Sequence, residues 1–206
     1  MKVYLVRHGQ TNENSKFIHQ NSEASLSKLG IKQAEKLTER VKHIKIDLII
    51  TSPFKRTMQT TNIINNVLNK PVIESELLIE IKRPTEIEGL SAYDDKALDI
   101  KNLIKSNLHN PRYKHSDEET YEELIKRSRV ALNFISKQNA ENILVVTHGE
   151  LIRSLIGVIL LNDSFTSQLL LKFNDHLKSH NSGITMCEYK DKNWKLLTWN
   201  DHAHLG

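Results

Sequence analysis

The chain has 206 residues, a formal net charge of +4 and a mean hydropathy of −0.46, which fits one large soluble domain over residues 1–206 with a sizeable core. No apolar run approaches the ~20 residues of a membrane span, and the lysines are scattered without aromatic-interleaved basic blocks, so neither a membrane nor nucleic acid is an expected partner. The single Cys187 cannot form an internal disulfide and fits a reducing compartment.

Met1-Lys2 leads directly into Val3, Tyr4, Leu5 and Val6, an apolar run that reads as a short buried strand. A signal peptide's longer apolar stretch and cleavage site are missing, so the expected location is cytoplasmic. Asn12 to Ser25 is polar and reads as a loop with a short helical turn around Phe17. Ser27 caps a helix through about His43, with Ile31, Ala34, Leu37, Val41 and Ile44 on its apolar side. Ile46 to Thr51 is a second buried strand. Ser52-Pro53 then opens a helix to about Leu68, with Pro in its first turn and Arg56 one turn in.

Pro71 to Glu74 fits a short third strand, whereas Glu80 to Gly89 has no clean periodicity and reads as a loop. Helices are expected over Ala92–Leu108 and Glu118–Gln138, joined by the polar link Asn110–Asp117. A strand over Ile143–Thr147, a helix over Glu150–Leu161 and a helical piece between Phe165 and Phe173 follow. Gly183–Tyr189 and Trp194–Trp199 form a hairpin turning over Lys190–Asn193, with both tryptophans in its core. Strands alternating with helices predict an α/β three-layer sandwich, its mostly parallel central sheet flanked by helices.

Two strand ends carry the chemistry. Leu5-Val6-Arg7-His8-Gly9 and Val145-Val146-Thr147-His148-Gly149 each deliver a His-Gly pair from an apolar strand, which suggests one shared site. Arg7 offers a planar fork of donors suited to phosphate, and Gly9 lets a ligand approach the backbone. An imidazole, unperturbed near ~6.5, can be neutral and nucleophilic at working pH.

Arg7-His8-Gly9-Gln10-Thr11-Asn12-Glu13-Asn14 resembles the R-H-G-x-T-x-x-N opening of the histidine phosphatase superfamily, the phosphoglycerate mutase-like fold. Leu26-Ser27-x-x-Gly30-x-x-Gln33-Ala34, Thr51-Ser52-Pro53-x-x-Arg56-x-x-Gln59-Thr60, Val146-Thr147-His148-Gly149 and the tail from Asn181-x-Gly183-x-Thr185 to Trp199-Asn200-Asp201-His202-x-His204-Leu205 are similar to further elements of that family, in the same order. The resemblance covers nearly the whole chain. It implies a metal-independent, cofactor-free phosphomonoesterase in which His8 takes the phosphoryl group as phosphohistidine. Arg7, Arg56 and His148 would surround that group, with Asn14 and Gly149 as further phosphate contacts. Fixed cations and donors are what a phosphoryl transition state requires.

The family's proton donor, a Glu in an L-x-E context, corresponds to Glu80 in Leu78-Ile79-Glu80. The following Lys82-Arg83-Pro84-Thr85-Glu86-Ile87-Glu88-Gly89 departs from the family's F-G-x-x-E-G, which keeps Glu86 and Glu88 as competitors and marks 80–117 as a candidate lid or specificity region. Lys82 and Arg83 read as solvated, as do Arg112, Lys114 and His115. Glu119 matches the Glu of the family's G-E-S element and equally suits a carboxylate at a helix N-terminus.

The expected substrate is a small phosphorylated metabolite or a phosphoprotein. A 2,3-bisphosphoglycerate-dependent phosphoglycerate mutase is the alternative, and a non-catalytic phosphate-binding protein a second one. A mutase needs extra basic residues, usually on inserted segments, and this compact chain has no obvious long insertion. The oligomeric state stays open, a homodimer being one option.

Overall fold

A computed structural model of the chain describes residues 1–110 and 112–206. Six strands form one sheet: β1 Lys2–Arg7, β2 Leu48–Thr51, β3 Val72–Glu74, β4 Asn142–Thr147, β5 Ile184–Lys190 and β6 Asn193–Asp201. Their order is β3-β2-β4-β1-β5-β6. The four strands from β3 to β1 are mutually parallel, while β5 and β6 add antiparallel pairs at one edge. The α/β sandwich with a mostly parallel sheet is therefore the observed fold.

Both faces of the sheet are covered, which explains why its strands read as continuous apolar runs rather than alternating ones. Val3, Leu5, Ile143 and Val145 pack on one side with Leu124, Leu132 and Ile135 of α5 (Tyr121–Ser136) and Leu151 and Leu155 of α6 (Gly149–Leu161). Tyr4, Val6, Leu144 and Val146 pack on the other with Leu37 and Val41 of α2 (Lys28–Val41) and Ile64 of α3 (Lys55–Leu68). Among the described residues the other α-helices are α1 Asn12–Ser15, α4 Asp95–Ser106 and α7 Ser167–His176. Among the described residues, no helix is long and apolar enough to cross a membrane.

The local differences from the sequence reading have physical causes. The helical turn expected around Phe17 is α1, closed by a Thr11–Asn14 capping box, and Phe17 ends it in the left-handed region at φ 55°. Just past the end of β2, Ser52 N–H still donates to the Val146 carbonyl at 3.1 Å, so α3 begins only at Lys55 and Pro53 stands outside it. Ile31 is 41% exposed, and Gly30 is buried in its place. Trp194 and Trp199 are half-buried at the margin of the core rather than inside it. The hairpin turn matches its expected position, and Asp191 and Lys192 both take positive φ (51° and 63°), the geometry of a type I′ turn.

Gly30 has a specific task. The first turn of α2 lies against the backbone after His8, and a Cβ on Gly30 would stand 2.0 Å from the Gln10 carbonyl oxygen. Ser27 N–H donates to that carbonyl at 2.8 Å, and the Gln33 side chain accepts from Gln10 N–H at 2.9 Å. Helix α2 is thereby moulded onto the turn that carries the first His-Gly pair.

The segment 80–117 is tied to the first loop. His19 N–H donates to Leu90 O, Gly89 N–H to His19 O, and Ala92 N–H to Phe17 O. Within it, residues 80–89 are irregular apart from a 3-10 turn at Thr85–Ile87, and residue 111 of the polar link lies outside the described residues.

Candidate active site

Strand register brings the site together. Arg7 of β1 pairs with Thr147 of β4, and Thr51 of β2 pairs with Val146. The residues that follow, His8, His148 and Ser52, therefore leave the carboxyl ends of three adjacent parallel strands, where open α/β sheets place their ligands. His8 N–H donates to Thr147 O at 3.0 Å. The two imidazoles are fully buried, with ring centroids 5.2 Å apart.

His8 Nδ1 lies 2.7 Å from the Gly9 carbonyl oxygen. A carbonyl only accepts, so Nδ1 carries the proton and Nε2 keeps its lone pair. Arg56 Nε donates to that Nε2 at 3.3 Å. Burial, then the charges of Arg56 and Arg7, push His8 well below the usual imidazole range, against the opposing bond to Gly9. His148 is likewise held well below that range, by burial first and then by Arg56, His8, Arg7 and Arg127. Both rings are neutral at working pH.

Arg56 comes from the first turn of α3, gives Nη1 to Asn21 O at 2.8 Å and lies over the Phe54 ring at 5.0 Å. Arg7 donates to Ser179 O. Burial pushes each guanidinium down to about 10, which leaves both cationic at neutral pH. Gly149 opens α6 beside Arg7, whose Nε would stand 3.3 Å from a Cβ there. Arg7 Nε and His148 Nδ1 are buried with no protein partner among the described residues.

Glu80 lies at the first turn of α6, near enough for its charge to act on Arg7 and Arg56. Its carboxylate accepts from Glu150 N–H at 3.2 Å and Leu151 N–H at 3.1 Å, in the first turn of α6, and from Ile81 N–H at 3.2 Å. The His148 side chain does not cap this helix, so Glu80 satisfies its free amides. Asn14 spends its Oδ1 on Thr11 N–H and on Asn181 Nδ2, and Asn181 also donates to His8 O at 2.9 Å.

The competing carboxylates lie elsewhere. Glu86 pairs at the surface with His115 at 2.7 Å and Lys96 at 3.4 Å. Glu88 stands at the rim of a cleft of about 500 Å³ that Ile18, His19, Phe54, Ile79 and Glu80 also line. Arg83, expected to be solvated, is instead ion-paired with Glu150 and donates to the Tyr121 hydroxyl. That pair walls the cleft. Lys82 is exposed as expected and pairs with Asp117 at 2.8 Å. Lys114 pairs with Glu123 at the surface, and Arg112 is exposed. Glu119 sits one residue before the Thr120 cap of α5 and grips Arg127 rather than the helix amides.

Sequence reasoning passed over several groups. Ser52 Oγ lies 2.9 Å from His148 Nε2, and Thr60 Oγ1 accepts from Gly9 N–H at 3.1 Å. Phe54 packs edge-on against His148 at 5.2 Å. Their only signal is position within the Ser52-Pro53-x-x-Arg56-x-x-Gln59-Thr60 run, and for Asn181 its place before Gly183. Among the described residues, no group of three or more His, Cys, Asp or Glu side chains is placed to hold a metal ion.

Relatives share the whole length of the chain. It is 28% identical over 206 residues to the uncharacterized phosphatase PhoE of Bacillus subtilis, covering 99% of this chain and 96% of that one. It is 29% identical over 216 residues to the probable phosphoglycerate mutase GpmB of Proteus mirabilis, covering 100% and 95%. The fold matches that of Bacillus stearothermophilus YhfR with a TM-score of 0.82 at 21% identity, over 100% of this chain and 99% of the other. The family model of the histidine phosphatase superfamily, branch 1, matches residues 3–202, and the chain belongs to that superfamily.

Proposed function

We propose that the chain is a metal-independent phosphomonoesterase that works through a phosphohistidine on His8 Nε2. The observation that carries this reading is the His8 ring: Nδ1–H is tied to Gly9 O, and Nε2 is neutral beside Arg56. In the first step the Nε2 lone pair forms the N–P bond as the ester P–O bond breaks. Arg7, Arg56 and His148 take up charge on the equatorial oxygens. The orphaned Arg7 Nε is a donor that an oxyanion would satisfy, and so is His148 Nδ1 in the tautomer in which the Ser52 hydroxyl donates to Nε2. Asn14 and the Gly149 amide add neutral donors.

Glu80 gives its proton to the leaving oxygen. It then takes one from the water that attacks phosphorus, and the N–P bond breaks to return neutral His8 and inorganic phosphate. Glu80 is preferred to Glu86, which is engaged at the surface, and to Glu88, which stands at the rim. Of the segment 80–117, Glu80 to Arg83 and Glu88 line the cleft, and they would set which phosphorylated metabolite or phosphoprotein is accepted.

Hydrolysis is favoured over mutase action because Lys82 and Arg83, the cations of the outer cleft, are each already paired with a carboxylate. A mutase must hold a second acidic group there. The test is to trap radiolabelled phosphoenzyme in the wild type and in His8→Ala, then to assay 3-phosphoglycerate with and without a bisphosphate primer. The expected result is a His8-dependent phosphoenzyme and release of phosphate. Interconversion of phosphoglycerates faster than hydrolysis would reverse the reading, and a wild type that never labels would favour a non-catalytic phosphate-binding role.

A further inference from the structure

The segment that carries Glu80 is held by its backbone carbonyls. Arg127, on the second turn of α5, donates Nη1 to Leu77 O at 3.0 Å and to Ile79 O at 2.8 Å. Thr147 Oγ1, next to His148, donates to Leu78 O at 2.6 Å. Glu119 N–H donates to Lys82 O at 2.9 Å. The carboxylate of the same Glu119 receives Arg127 Nε at 2.7 Å and Nη2 at 2.6 Å. Three consecutive carbonyls before Glu80 and one after it are thus fixed, and the guanidinium is itself locked by a two-point pair.

This is an expensive way to anchor a loop. The Arg127 and Glu119 side chains are only 14% and 16% exposed, and apolar packing often replaces such pairs at no loss of stability. What apolar packing does not supply is direction. With its Nε and Nη2 fixed on Glu119, the planar guanidinium holds Nη1 on two carbonyls and so sets the orientation of the Leu77–Leu78 and Ile79–Glu80 peptides, and with the latter the vector along which the Glu80 side chain leaves the backbone. Arg127 never touches the cleft: its charge reaches His148 but its donors end on Glu119 and the two carbonyls.

We propose that Arg127, locked by Glu119, is a positioning residue that aims the Glu80 carboxyl at the leaving-group oxygen. The proposal rests on the reading of Glu80 as proton donor. A donor misaimed by about an ångström loses on the order of 100-fold in rate while phosphate binding stays intact. Such a loss depends on the leaving group. A p-nitrophenolate departs without a proton, whereas a benzyl alkoxide needs one.

The experiment measures kcat/KM, which reports phosphoryl transfer to His8, for p-nitrophenyl, phenyl and benzyl phosphate. Wild type, Glu80→Gln, Arg127→Met, Arg127→Lys and Glu119→Gln are compared, with inorganic phosphate as competitive inhibitor. For Arg127→Met the expected loss is about 30-fold or more on benzyl phosphate and under about 3-fold on p-nitrophenyl phosphate, within the range that a proton donor contributes. Its phosphate inhibition constant stays within about twofold of wild type, since the phosphoryl-binding residues are untouched. Arg127→Lys and Glu119→Gln show the same tilt at smaller size, and they carry the test should Arg127→Met fail to fold.

Equal losses on all three esters, or wild-type rates on benzyl phosphate, overturn the positioning role. A flat response in Glu80→Gln overturns the proton-donor reading itself. A tilt in Glu80→Gln without one in the Arg127 and Glu119 variants removes only the positioning proposal.

Discussion

His8 and His148 stand side by side because Arg7 and Thr147, one residue earlier on each strand, are paired in the central parallel ladder. Their ring centroids are 5.2 Å apart, and the distance is set by the sheet rather than by any loop. The two histidines should therefore be separable by chemistry and not by fold. His8→Ala should keep a wild-type far-UV spectrum, form no phosphoenzyme and reduce hydrolysis to background. His148→Ala should still label, with turnover down by about 100- to 1,000-fold, the scale of losing one oxyanion donor. Labelling of His8→Ala would place the nucleophile elsewhere.

Replacing Glu80 tests the proton donor in a different quantity. Glu80→Gln keeps an amide oxygen for the free amides of α6 but has no proton to give. Turnover on alkyl esters should fall by about 100-fold or more, while product inhibition by inorganic phosphate changes little. Steady-state kinetics with phosphate as inhibitor separates the two. If Glu80→Gln stays active and Glu88→Gln does not, the proton donor is Glu88.

Stability should fall as the solution is acidified. His8 and His148 stay neutral in the folded protein well below the usual imidazole range, for reasons of burial first and neighbouring Arg charge second. In the unfolded chain they bind protons below pH ~6.5. The unfolded state then holds more protons than the folded one, so unfolding is favoured as pH falls through that value. Each imidazole should contribute on the order of 1 kcal/mol per pH unit between about pH 6.5 and 5. Urea melts across that range, compared with those of His8→Ala, measure the slope. A slope unchanged by removal of His8 contradicts the assignment.

Much of the site was legible because its residues sit in local runs. Arg7-His8-Gly9, Ser52-Pro53-x-x-Arg56 and Thr147-His148-Gly149 each place a functional side chain where an apolar strand ends, and strand ends are visible in hydrophobic patterning. What stayed hidden is long-range and polar. The Arg83–Glu150 pair spans 67 positions and the Arg127–Leu77 bond 50, and nothing in local composition couples such residues. The same blindness made Arg83 read as solvated. Asn181 was seen as part of a terminal pattern, but its bonds to His8 and Asn14 cross more than 160 positions. Pro53 signals a helix start two residues before α3 begins, and the backbone bond of Ser52 to Val146 outweighs that local preference.

Gly30 offers a test in which the sign carries the information. In an ordinary helix Gly→Ala gains about 1 kcal/mol. At Gly30 the new Cβ would lie 2.0 Å from the Gln10 carbonyl oxygen and 2.8 Å from the Gln10 nitrogen, with no flexible side-chain end to move aside. Gly30→Ala should destabilise by roughly 1–3 kcal/mol, the scale of overpacking a filled space. It should also lower kcat/KM, because the displaced backbone is the turn that follows His8. A more stable and fully active Gly30→Ala would mean that α2 does not fix that turn.

The placement of β1 has a consequence for how the protein comes into being. This strand is flanked by β4 at Asn142–Thr147 and by β5 at Ile184–Lys190, both far downstream of it in sequence. Neither neighbour exists until the long stretch between β1 and Asn142 has been synthesised. During synthesis β1 is therefore made with neither hydrogen-bonding edge paired, the situation in which slow, non-local pairing invites aggregation and chaperone capture. Because Asn181 also reaches back to the His8 carbonyl, catalytic competence should appear abruptly, only once β5 and Asn181 have joined β1.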